Sequence, residues 1–476
     1  TLSLLPSEHV LPGSMSLASV KLISDIHVSP QKKVSDTYAD ALLKYKDTVE
    51  VEYTANYIGN DSLVKVIKDD SGFFLVHYTV EPKKLSVDSY EDKYIANFDL
   101  NVRVSDAEGK TIFQYEKKIP ITLDKAELQD VKSMPFALQD AFPLVPGRYR
   151  FDLLLKNTVS KEFSSAEEDI VVPRDGPTLE MSPLLLGYRV EKNASATEFV
   201  PFKVGREQIL CQPRKTFCQK EALAVFFQVY GLSAELRDRA VIKFSFLKEE
   251  KEFSSITKKI AEFPAGENFI QEQPLANFIP GYYSVNVTIS DGKGKELIFQ
   301  REDFEISTLA ALPRPLIISK VMLLSGLEEY HFASGFQLLN QGKLEEAKAA
   351  LEQAYNKKPG QIKYALGYSQ VLFLKQDYLR VKEILAPFAH GQEVDANILY
   401  FLGKASHSLG QFKEAVAHYQ NYLSHAGMNI EILNLLGTCH YQLGNREEAL
   451  RVWQKSLEIS PNQENIKKLV ESLTKR

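Results

Sequence analysis

The feature that most constrains the fold is a 34-residue period in the last third of the 476-residue chain. Gly342, Gly410 and Gly444 follow this spacing, and Gln376 occupies the step between the first two. Three further columns keep the same period: Gly335, Ser369, Gly403 and Gly437; Ala347, Val381, Ala415 and Ala449; and Leu351, Leu385, Tyr419 and Trp453. A repeat of this length predicts pairs of helices that must stack, because one pair cannot bury its apolar face alone.

The residue types in these columns suggest how the helices pack. Small residues in two of the columns let antiparallel helices approach closely. We expect the large residues Leu351, Tyr419 and Trp453 to fill the space toward the next pair. The sequence therefore predicts one continuous apolar core through the last third of the chain.

The turn sequences of these pairs resemble those of the tetratricopeptide repeat family. The resemblance is carried by Gly-Lys-Leu-Glu-Glu-Ala at 342–347, Gly-Gln-Phe-Lys-Glu-Ala at 410–415 and Gly-Asn-Arg-Glu-Glu-Ala at 444–449. It implies a right-handed α-solenoid of four repeats at 328–361, 362–395, 396–429 and 430–463, closed by a capping helix over 464–476. The second repeat departs most, since Gln376 replaces the turn glycine and Pro387 enters its second helix.

Residues 1–310 show the alternation of period two that is typical of strands. Two of these strands follow the related sequences Pro146-Gly147-Arg148-Tyr149 and Pro280-Gly281-Tyr282-Tyr283. We therefore expect two related all-β units, the second a divergent copy of the first, and interpret them as tandem immunoglobulin-like β-sandwiches. The predicted chain is thus multidomain, all-β plus all-α. Its segments are an N-terminal segment at 1–13, the sandwiches at 14–173 and 178–308, a linker at 309–327, the repeats at 328–463 and the capping helix.

The β region also resembles, loosely, the sandwich modules of large secreted bacterial proteins that carry a GWxTD or von Willebrand A-type domain. The residues that carry this resemblance are Phe142–Tyr149, Val171-Val172-Pro173, Leu179–Leu186 and 200–205. It implies a bacterial protein of the periplasm or the extracellular space. Because the chain starts at Thr1 rather than Met, we expect a processed chain or a fragment, with 1–13 as the tail of an upstream portion.

Composition and motifs argue against several function classes. The formal net charge of −5 gives no basic excess for nucleic acid, and no apolar run approaches the length of a spanning helix. The sequence has no nucleophile elbow, phosphate-binding glycine loop or spaced set of metal ligands. We therefore predict a non-catalytic protein with no catalytic residues, metal or cofactor.

The cysteines leave two alternatives open. Cys211 and Cys218 could close a small disulfide loop, which would require an oxidising compartment, or they could be two unpaired thiols. Cys439 occupies a small-residue position of the helical region and is expected in its core.

The positive functional feature is the surface formed by the first helix of each repeat. The family resemblance implies a partner-binding groove lined by Phe332, Phe336, Leu366, Gln370, Phe373, Asn397, Tyr400, Lys404, Asn434, Thr438 and Tyr441. This set is apolar in the first two repeats and more polar in the last two, which would suit a peptide or protein with two such halves. The alternative is that Phe332 and Phe336 pack on the adjoining β unit instead.

We expect the chain to be a protein–protein interaction scaffold, with the β-sandwiches as spacer or docking modules. The alternative hypothesis is a structural subunit of an extracellular or periplasmic assembly or filament that associates with itself. In that case the groove of one copy would take a β edge or a terminal segment of the next.

Overall fold

The computed structural model describes residues 57–474 except 85, 87, 91–92, 125–133, 193–199, 320–325 and 392–393. The predicted N-terminal segment 1–13 and the first part of the predicted first sandwich, residues 14–56, lie outside the described residues. In the described part, strands occupy the first two-thirds and helices the last third. The described part of the chain is therefore all-β followed by all-α, as the change of hydrophobic period predicts.

The first β unit contains two sheets that face each other across one apolar core. Its strands are β1 (Asn60–Lys68), β2 (Phe74–Pro82), β3 (Asp88–Tyr90), β4 (Lys93–Ser105), β5 (Thr111–Leu123), β6 (Phe136–Pro143), β7 (Gly147–Asn157) and β8 (Glu162–Val172). One sheet runs β1-β2-β6, and the other runs β5-β4-β7-β8 with β3 also beside β4. Side chains of both sheets, among them Tyr78, Phe142 and Phe151, form the core between them.

The second β unit has the same arrangement with additions. Its elements are β9 (Glu180–Met181), β10 (Leu185–Lys192), β11 (Lys203–Val204), β12 (Glu207–Cys211), β13 (Thr216–Phe217), β14 (Ala222–Tyr230), α1 (Ala234–Arg239), β15 (Val241–Lys248), β16 (Lys251–Lys259), β17 (Asn268–Pro274), β18 (Gly281–Ser290) and β19 (Glu296–Ile306). The order β10-β14-β17 matches β1-β2-β6, and the order β16-β15-β18-β19 matches β5-β4-β7-β8. This matching strand order supports the interpretation of the second unit as a copy of the first.

The two Pro-Gly-x-Tyr sequences have the same local structure. The Tyr149 hydroxyl donates a hydrogen bond to the Val145 carbonyl at 2.9 Å. The Tyr283 hydroxyl donates to the Ile279 carbonyl, again at 2.9 Å and four residues upstream. Each tyrosine thus fastens its strand to the segment before it, which explains why the sequence similarity between the units is strongest here.

The β units share an interface that the sequence did not predict. Strand β2 is buried from Phe74 to Glu81, because one face joins the first core and the other face, through His77, packs on Phe202 of the second unit. The amide of Gln228 accepts a hydrogen bond from the Lys68 N–H and donates one to the Lys68 carbonyl, both at 2.7 Å. The ion pair between Lys65 and Glu302 also crosses this interface.

The segment predicted as a linker over 309–327 contains a strand, which corrects that prediction. Strand β20 (Leu316–Ser319) pairs in parallel with β6 and extends the β1-β2-β6 sheet of the first unit. Ile318 packs against the core of that unit. Just before β20, the Arg314 guanidinium pairs with Glu221 of the second unit and stacks on Tyr188 at 4.1 Å. The chain therefore returns to the first unit before the helices begin.

Among the described residues after β20 there are nine helices, which form the four predicted antiparallel pairs and a last single helix. Their bounds are α2 (Leu327–Asn340), α3 (Leu344–Lys357), α4 (Ile362–Leu374), α5 (Tyr378–Leu385), α6 (Ala396–Ser408), α7 (Phe412–Ala426), α8 (Ile430–Gln442), α9 (Arg446–Ile459) and α10 (Glu464–Thr474). Each helix contacts the next, and α4 also contacts α2 and α6. Helix α5 ends before Pro387, which lies in a 3₁₀ turn, so the proline shortens this helix rather than interrupting it.

The large residues of the repeat also pack against the small residues of their own pair. A Cβ atom on Gly403 would lie 2.5 Å from Tyr419, and one on Gly437 would lie 2.4 Å from the Trp453 indole. The large side chain thus covers the small residue of its own pair, and Leu351 and Tyr419 also belong to apolar clusters with residues of the next pair. The turn position has a positive φ in every pair, +73° at Gly410 and +63° at Gln376, so Gln376 adopts the backbone that favours glycine.

Helix α2 is fixed to the first β unit rather than to the second. The Gln337 side chain is fully buried. Its amide donates to the Pro143 carbonyl at 2.7 Å and accepts from the Val145 N–H at 2.9 Å. The Tyr330 ring lies 4.8 Å from that of Phe73, so contacts extend along one face of the helix. The repeats therefore begin from a rigid platform.

We expect Gln337→Ala to lower the free energy of unfolding by about 3 kcal/mol, because two buried backbone groups lose their hydrogen-bond partner. The exposed Gln420 on α7 provides the control, and Gln420→Ala should change that energy by less than about 0.5 kcal/mol. Urea denaturation of the full chain measures both. Equal effects of the two substitutions would contradict the role assigned to Gln337.

A second prediction concerns Glu81, which lies at the interface between the β units. It is 2% exposed, and its Oε1 atom has no hydrogen-bond partner among the described residues. Burial raises its pKa from 4.5 to about 7, against the opposing influence of Arg214. The folded protein thus holds a proton that the unfolded chain releases, so the contribution of Glu81 to stability falls as the pH rises from 4.5 to 7.

Wild-type protein and Glu81→Gln should therefore be compared by urea denaturation between pH 4.5 and pH 7. We expect the stability of the wild type, relative to the variant, to decrease as the pH rises. His77 acts in the opposite direction, because burial lowers its pKa to about 3, but this contribution cancels in the difference. A constant difference across this range would contradict the prediction.

Candidate functional site

The candidate site is the surface formed by the first helices of the four pairs, α2, α4, α6 and α8, which we call the groove face. The eleven predicted residues are distributed over all four of these helices. Most of them are partly buried, whereas Asn397 and Tyr441 are exposed. Their spacing follows from the period, because equivalent positions on successive first helices lie side by side.

In the first half of the groove face, aromatic rings form its base. The rings of Phe332 and Phe336 are 4.9 Å apart in an edge-to-face arrangement. Both lie over Gly367 of the next repeat, where a Cβ atom would come within 2.7 Å of Phe332. The Lys363 ammonium lies 4.8 Å from the centre of the Phe332 ring. A glycine at 367 therefore lets the two aromatic rings sit between neighbouring helices.

The charge of Lys363 is compensated within the face. Its Nζ atom donates to Glu329 at 2.5 Å, and the Tyr364 hydroxyl donates to the other oxygen of the same carboxylate at 2.7 Å. Burial raises the pKa of Tyr364, and the bond to Glu329 raises it further. The hydroxyl therefore stays a donor, and this end of the face presents aromatic surface with a neutralised charge pair.

A similar arrangement occurs between the second, third and fourth repeats. The Lys404 ammonium lies 5.5 Å from the Phe373 ring and 4.9 Å from the Tyr400 ring. It donates at 3.0 Å both to the Tyr400 hydroxyl and to Glu431. Burial lowers the pKa of Lys404, but these hydrogen bonds outweigh it and hold that pKa above its usual value. Lys404 is therefore a fixed cation over an aromatic base.

The last repeat contributes polar groups, and some of them are engaged internally. The Asn434 amide donates to the side chain of Gln463 at 2.7 Å. The Thr438 hydroxyl donates to the backbone carbonyl of Asn434. The Tyr441 ring lies 6.0 Å from that of Trp453, beside the second helix of its own pair. These contacts join the end of the groove face to the segment that leads into α10.

Three charged residues belong to this surface but were not among the sequence candidates: Glu329, Lys363 and Glu431. They occupy the same position of the 34-residue period as Asn397, which was a candidate. Following the 34-residue spacing from Asn397 in both directions would have identified these three residues from the sequence.

A cleft of about 460 Å³ lies where the groove face meets the first β unit. Residues 111–114 of β5 form one wall, and Phe332, Ala333 and Phe336 of α2 form the other. The sequence left open whether these phenylalanines line the groove or pack on a β unit. They pack on each other and on the next repeat, while the neighbouring Asn340 and Gln341 contact the first β unit through Ile112 and Tyr149.

The other sequence candidates contribute no site. Cys211 and Cys218 are both buried free thiols, which is the second of the two alternatives left open above. They belong to different layers, because Cys211 ends β12 whereas Cys218 follows β13, which pairs with β19 in the opposite sheet. Within the described residues, no group of three or more His, Cys, Asp or Glu is arranged to hold a metal ion. No helix among them has the length and apolarity needed to cross a membrane.

Comparisons with known proteins agree with the helix pairs. Residues 430–463 and 396–424 each match a family model described as Tetratricopeptide repeat. No curated protein matches the chain.

Several solved structures are similar to part of the chain. They include MamA MSR-1 (24% identity over 28% of this chain and 77% of that chain, TM-score 0.27) and MamA AMB-1 (22%, 28% and 77%, TM-score 0.26). Another is MamA 41-end from Desulfovibrio magneticus RS-1 (20%, 29% and 77%, TM-score 0.26). The helix pairs at 396–424 and 430–463 are therefore tetratricopeptide repeats, and the two pairs before them keep the same 34-residue spacing.

Proposed function

We propose that the protein is a non-catalytic scaffold that binds a protein partner along the groove face. The observation that carries this proposal is a set of aromatic rings that remain only partly buried in the free chain. Phe332 and Phe336 contact each other, and Phe373 and Tyr400 both lie beside the Lys404 ammonium. Such rings provide binding energy when a partner removes them from water. The compensated lysines add orientation without a strong net charge.

The chemistry of the groove face suggests an extended segment with two different halves. Phe332 and Phe336 would contact an apolar half, whereas Lys404, Asn434 and Thr438 would hydrogen-bond a polar half. Lys404 is already paired with Glu431, so a ligand carboxylate would have to compete with that carboxylate.

We propose further that the β units are immunoglobulin-like sandwiches that act as spacer and docking modules. Their facing sheets and the hydrogen bonds of Tyr149 and Tyr283 support this interpretation. The proposed role of the first β unit as a docking module is supported by its contact with α2, because its backbone binds the Gln337 side chain of that helix.

Binding of the partner should depend on Tyr400 and not on aromatic surface in general. We expect Tyr400→Ala in the full chain to weaken binding by at least about tenfold, because it removes a ring and the hydroxyl that holds Lys404. Tyr282 of the second β unit is 78% exposed, so Tyr282→Ala is the matched control and should bind as the wild type does. Partners captured by the wild type and identified by mass spectrometry are then titrated against each variant. Equal affinity of wild type and Tyr400→Ala would refute the groove face as the binding site.

A second candidate function is that of a subunit in a self-associating assembly of the periplasm or extracellular space. Helix α10 has no buried residue, and Leu469 and the nearby Ile459 of α9 are 38% and 47% exposed at the end of the solenoid. Stacking of a second copy on this end would cover them. The proposed location rests on the loose resemblance of the β region to modules of secreted bacterial proteins.

This alternative predicts an average mass, measured by multi-angle light scattering, that rises with protein concentration. Leu469→Lys should keep the chain monomeric, whereas Lys468→Ala, one residue away and exposed, should not. A wild type that stays monomeric at every concentration tested would rule the assembly out.

A further inference from the structure

The feature that carries a further inference is the free edge of strand β5 (Thr111–Leu123). This strand pairs with β4 along its whole length, from Ser105 opposite Thr111 to Tyr94 opposite Leu123. On its other side, no strand of the described residues pairs with it. An edge strand presents backbone N–H and C=O groups that another strand can use.

The residues with free backbone groups can be identified. Pro120 lies opposite Asn97 of β4 and has no N–H to donate, so its backbone nitrogen faces away from β4. Alternation along the strand then turns the backbone groups of Lys118, Glu116 and Gln114 to the same free side. Asn340 of α2 donates to the Ile112 carbonyl at 2.9 Å, which shows that this carbonyl also faces away from β4.

The backbone groups that face away from β4 and stay available for a partner thus belong to three residues, Gln114, Glu116 and Lys118, and this segment has a defined beginning and end. The Asn340 amide occupies the edge at Ile112, as the N–H of a neighbouring strand would. Pro120 ends it, because a proline cannot donate to an added strand. Between them, the side chains of Gln114, Glu116 and Lys118 are exposed, and they are neutral, acidic and basic in that order.

The side chains on the core-facing side of β5 bind the other sheet, so the strand is held in place before any partner binds. The buried Asp140 of β6 accepts from the Tyr115 hydroxyl at 2.9 Å and from the Lys117 ammonium at 2.6 Å. Burial raises the pKa of Asp140, and the Lys117 ammonium opposes that shift. A pre-organised edge loses little conformational freedom when it binds.

The cleft beside α2 continues this edge at its Thr111 end. Its walls are residues 111–114 and the phenylalanines Phe332 and Phe336, with Lys363 at its rim. A side chain projecting from an added strand opposite Phe113 would enter this cleft. The edge offers backbone hydrogen bonds, whereas the cleft offers apolar contact.

We propose that β5 binds an extended peptide of the partner by antiparallel strand addition. The peptide has a basic residue opposite Glu116, an acidic residue opposite Lys118 and a bulky apolar residue opposite Phe113 that fills the cleft. Charge complementarity and continuity with the α2–β5 interface identify this occupant. The inference rests on the proposed function, because Phe332 and Phe336 belong to the groove face, and it specifies the partner's chemistry.

The probe is a fluorescein-labelled peptide, Ser-Glu-Val-Lys-Val-Thr-Phe-Ser, titrated with the full chain and followed by fluorescence anisotropy. Antiparallel addition places its Glu, Lys and Phe opposite Lys118, Glu116 and Phe113. Methylation of the backbone nitrogen of the peptide's Lys removes a hydrogen bond to β5 and should weaken binding about tenfold or more. Methylation at the preceding Val, whose N–H faces away from β5, is the matched control and should leave the affinity unchanged.

Variants of the chain test the same edge from the other side. Glu116→Pro should abolish binding without disturbing the β4 ladder, because the nitrogen at this position faces away from β4, as it does at Pro120. The double variant Glu116→Lys with Lys118→Glu should prefer a peptide whose Lys and Glu are exchanged. Circular dichroism and urea denaturation establish that each variant is folded. Phe336→Ala should weaken the binding of both peptides.

The outcomes separate this inference from the proposed function. Binding that resists both methylation of the peptide's Lys and Glu116→Pro overturns strand addition, as does absence of binding up to about 1 mM. Loss of binding in Tyr400→Ala but not in Glu116→Pro would place the peptide along the groove face, which upholds the proposed function and overturns the inference. Loss in Glu116→Pro with full binding in Tyr400→Ala supports strand addition.

Discussion

The architecture depends on the buried amide of Gln337. This one side chain donates to Pro143 and accepts from Val145, so it satisfies the backbone where β6 ends and the chain turns toward β7. A helix attached in this way has a fixed position and rotation, because the amide meets both groups in only one orientation. The remaining helix pairs stack on α2 in sequence, so the direction of the solenoid follows from this contact.

The route of the chain explains why such a contact is needed. The second β unit lies between the first unit and the helices in sequence, yet the helices pack on the first. Arg314 holds the chain against Glu221 of the second unit, and β20 then pairs with β6 of the first. The two β units also share an apolar core that includes Phe202 and Phe226. These contacts give the described β units and repeats one continuous framework rather than a row of independent modules.

This framework creates a surface that neither module would possess alone. The groove face supplies Phe332 and Phe336, and the first β unit supplies the edge strand β5, whose free segment ends at Pro120. Because α2 belongs to the repeats and is also fixed to the β unit, the cleft between them has walls from both. The proposed scaffold function therefore involves the β region in binding as well as in spacing.

Much of the fold could be predicted from the sequence because its patterns are local. The period-two alternation predicted strands, and the 34-residue period predicted the helix pairs. The family resemblance supplied the eleven groove candidates, and all of them lie on first helices. Glycines such as Gly403 and Gly437 identified close helix contacts, although the residue each one faces is Tyr419 or Trp453 of its own pair. The same column that contains Asn397 also contains Glu329, Lys363 and Glu431, so the charge pairs were accessible to a fuller reading.

Only the tertiary structure determined which modules touch. A strand of four residues at 316–319 is too short to stand out in a segment that contains prolines, and its partner β6 lies far away in sequence. The docking of Gln337 depends on two backbone groups whose positions no local pattern encodes. The sequence by itself determined the type of each module and the residues of its inner face, because these follow from local periodicity. The contact between modules depends on residues far apart in the chain, so its geometry was decided by the folded structure alone.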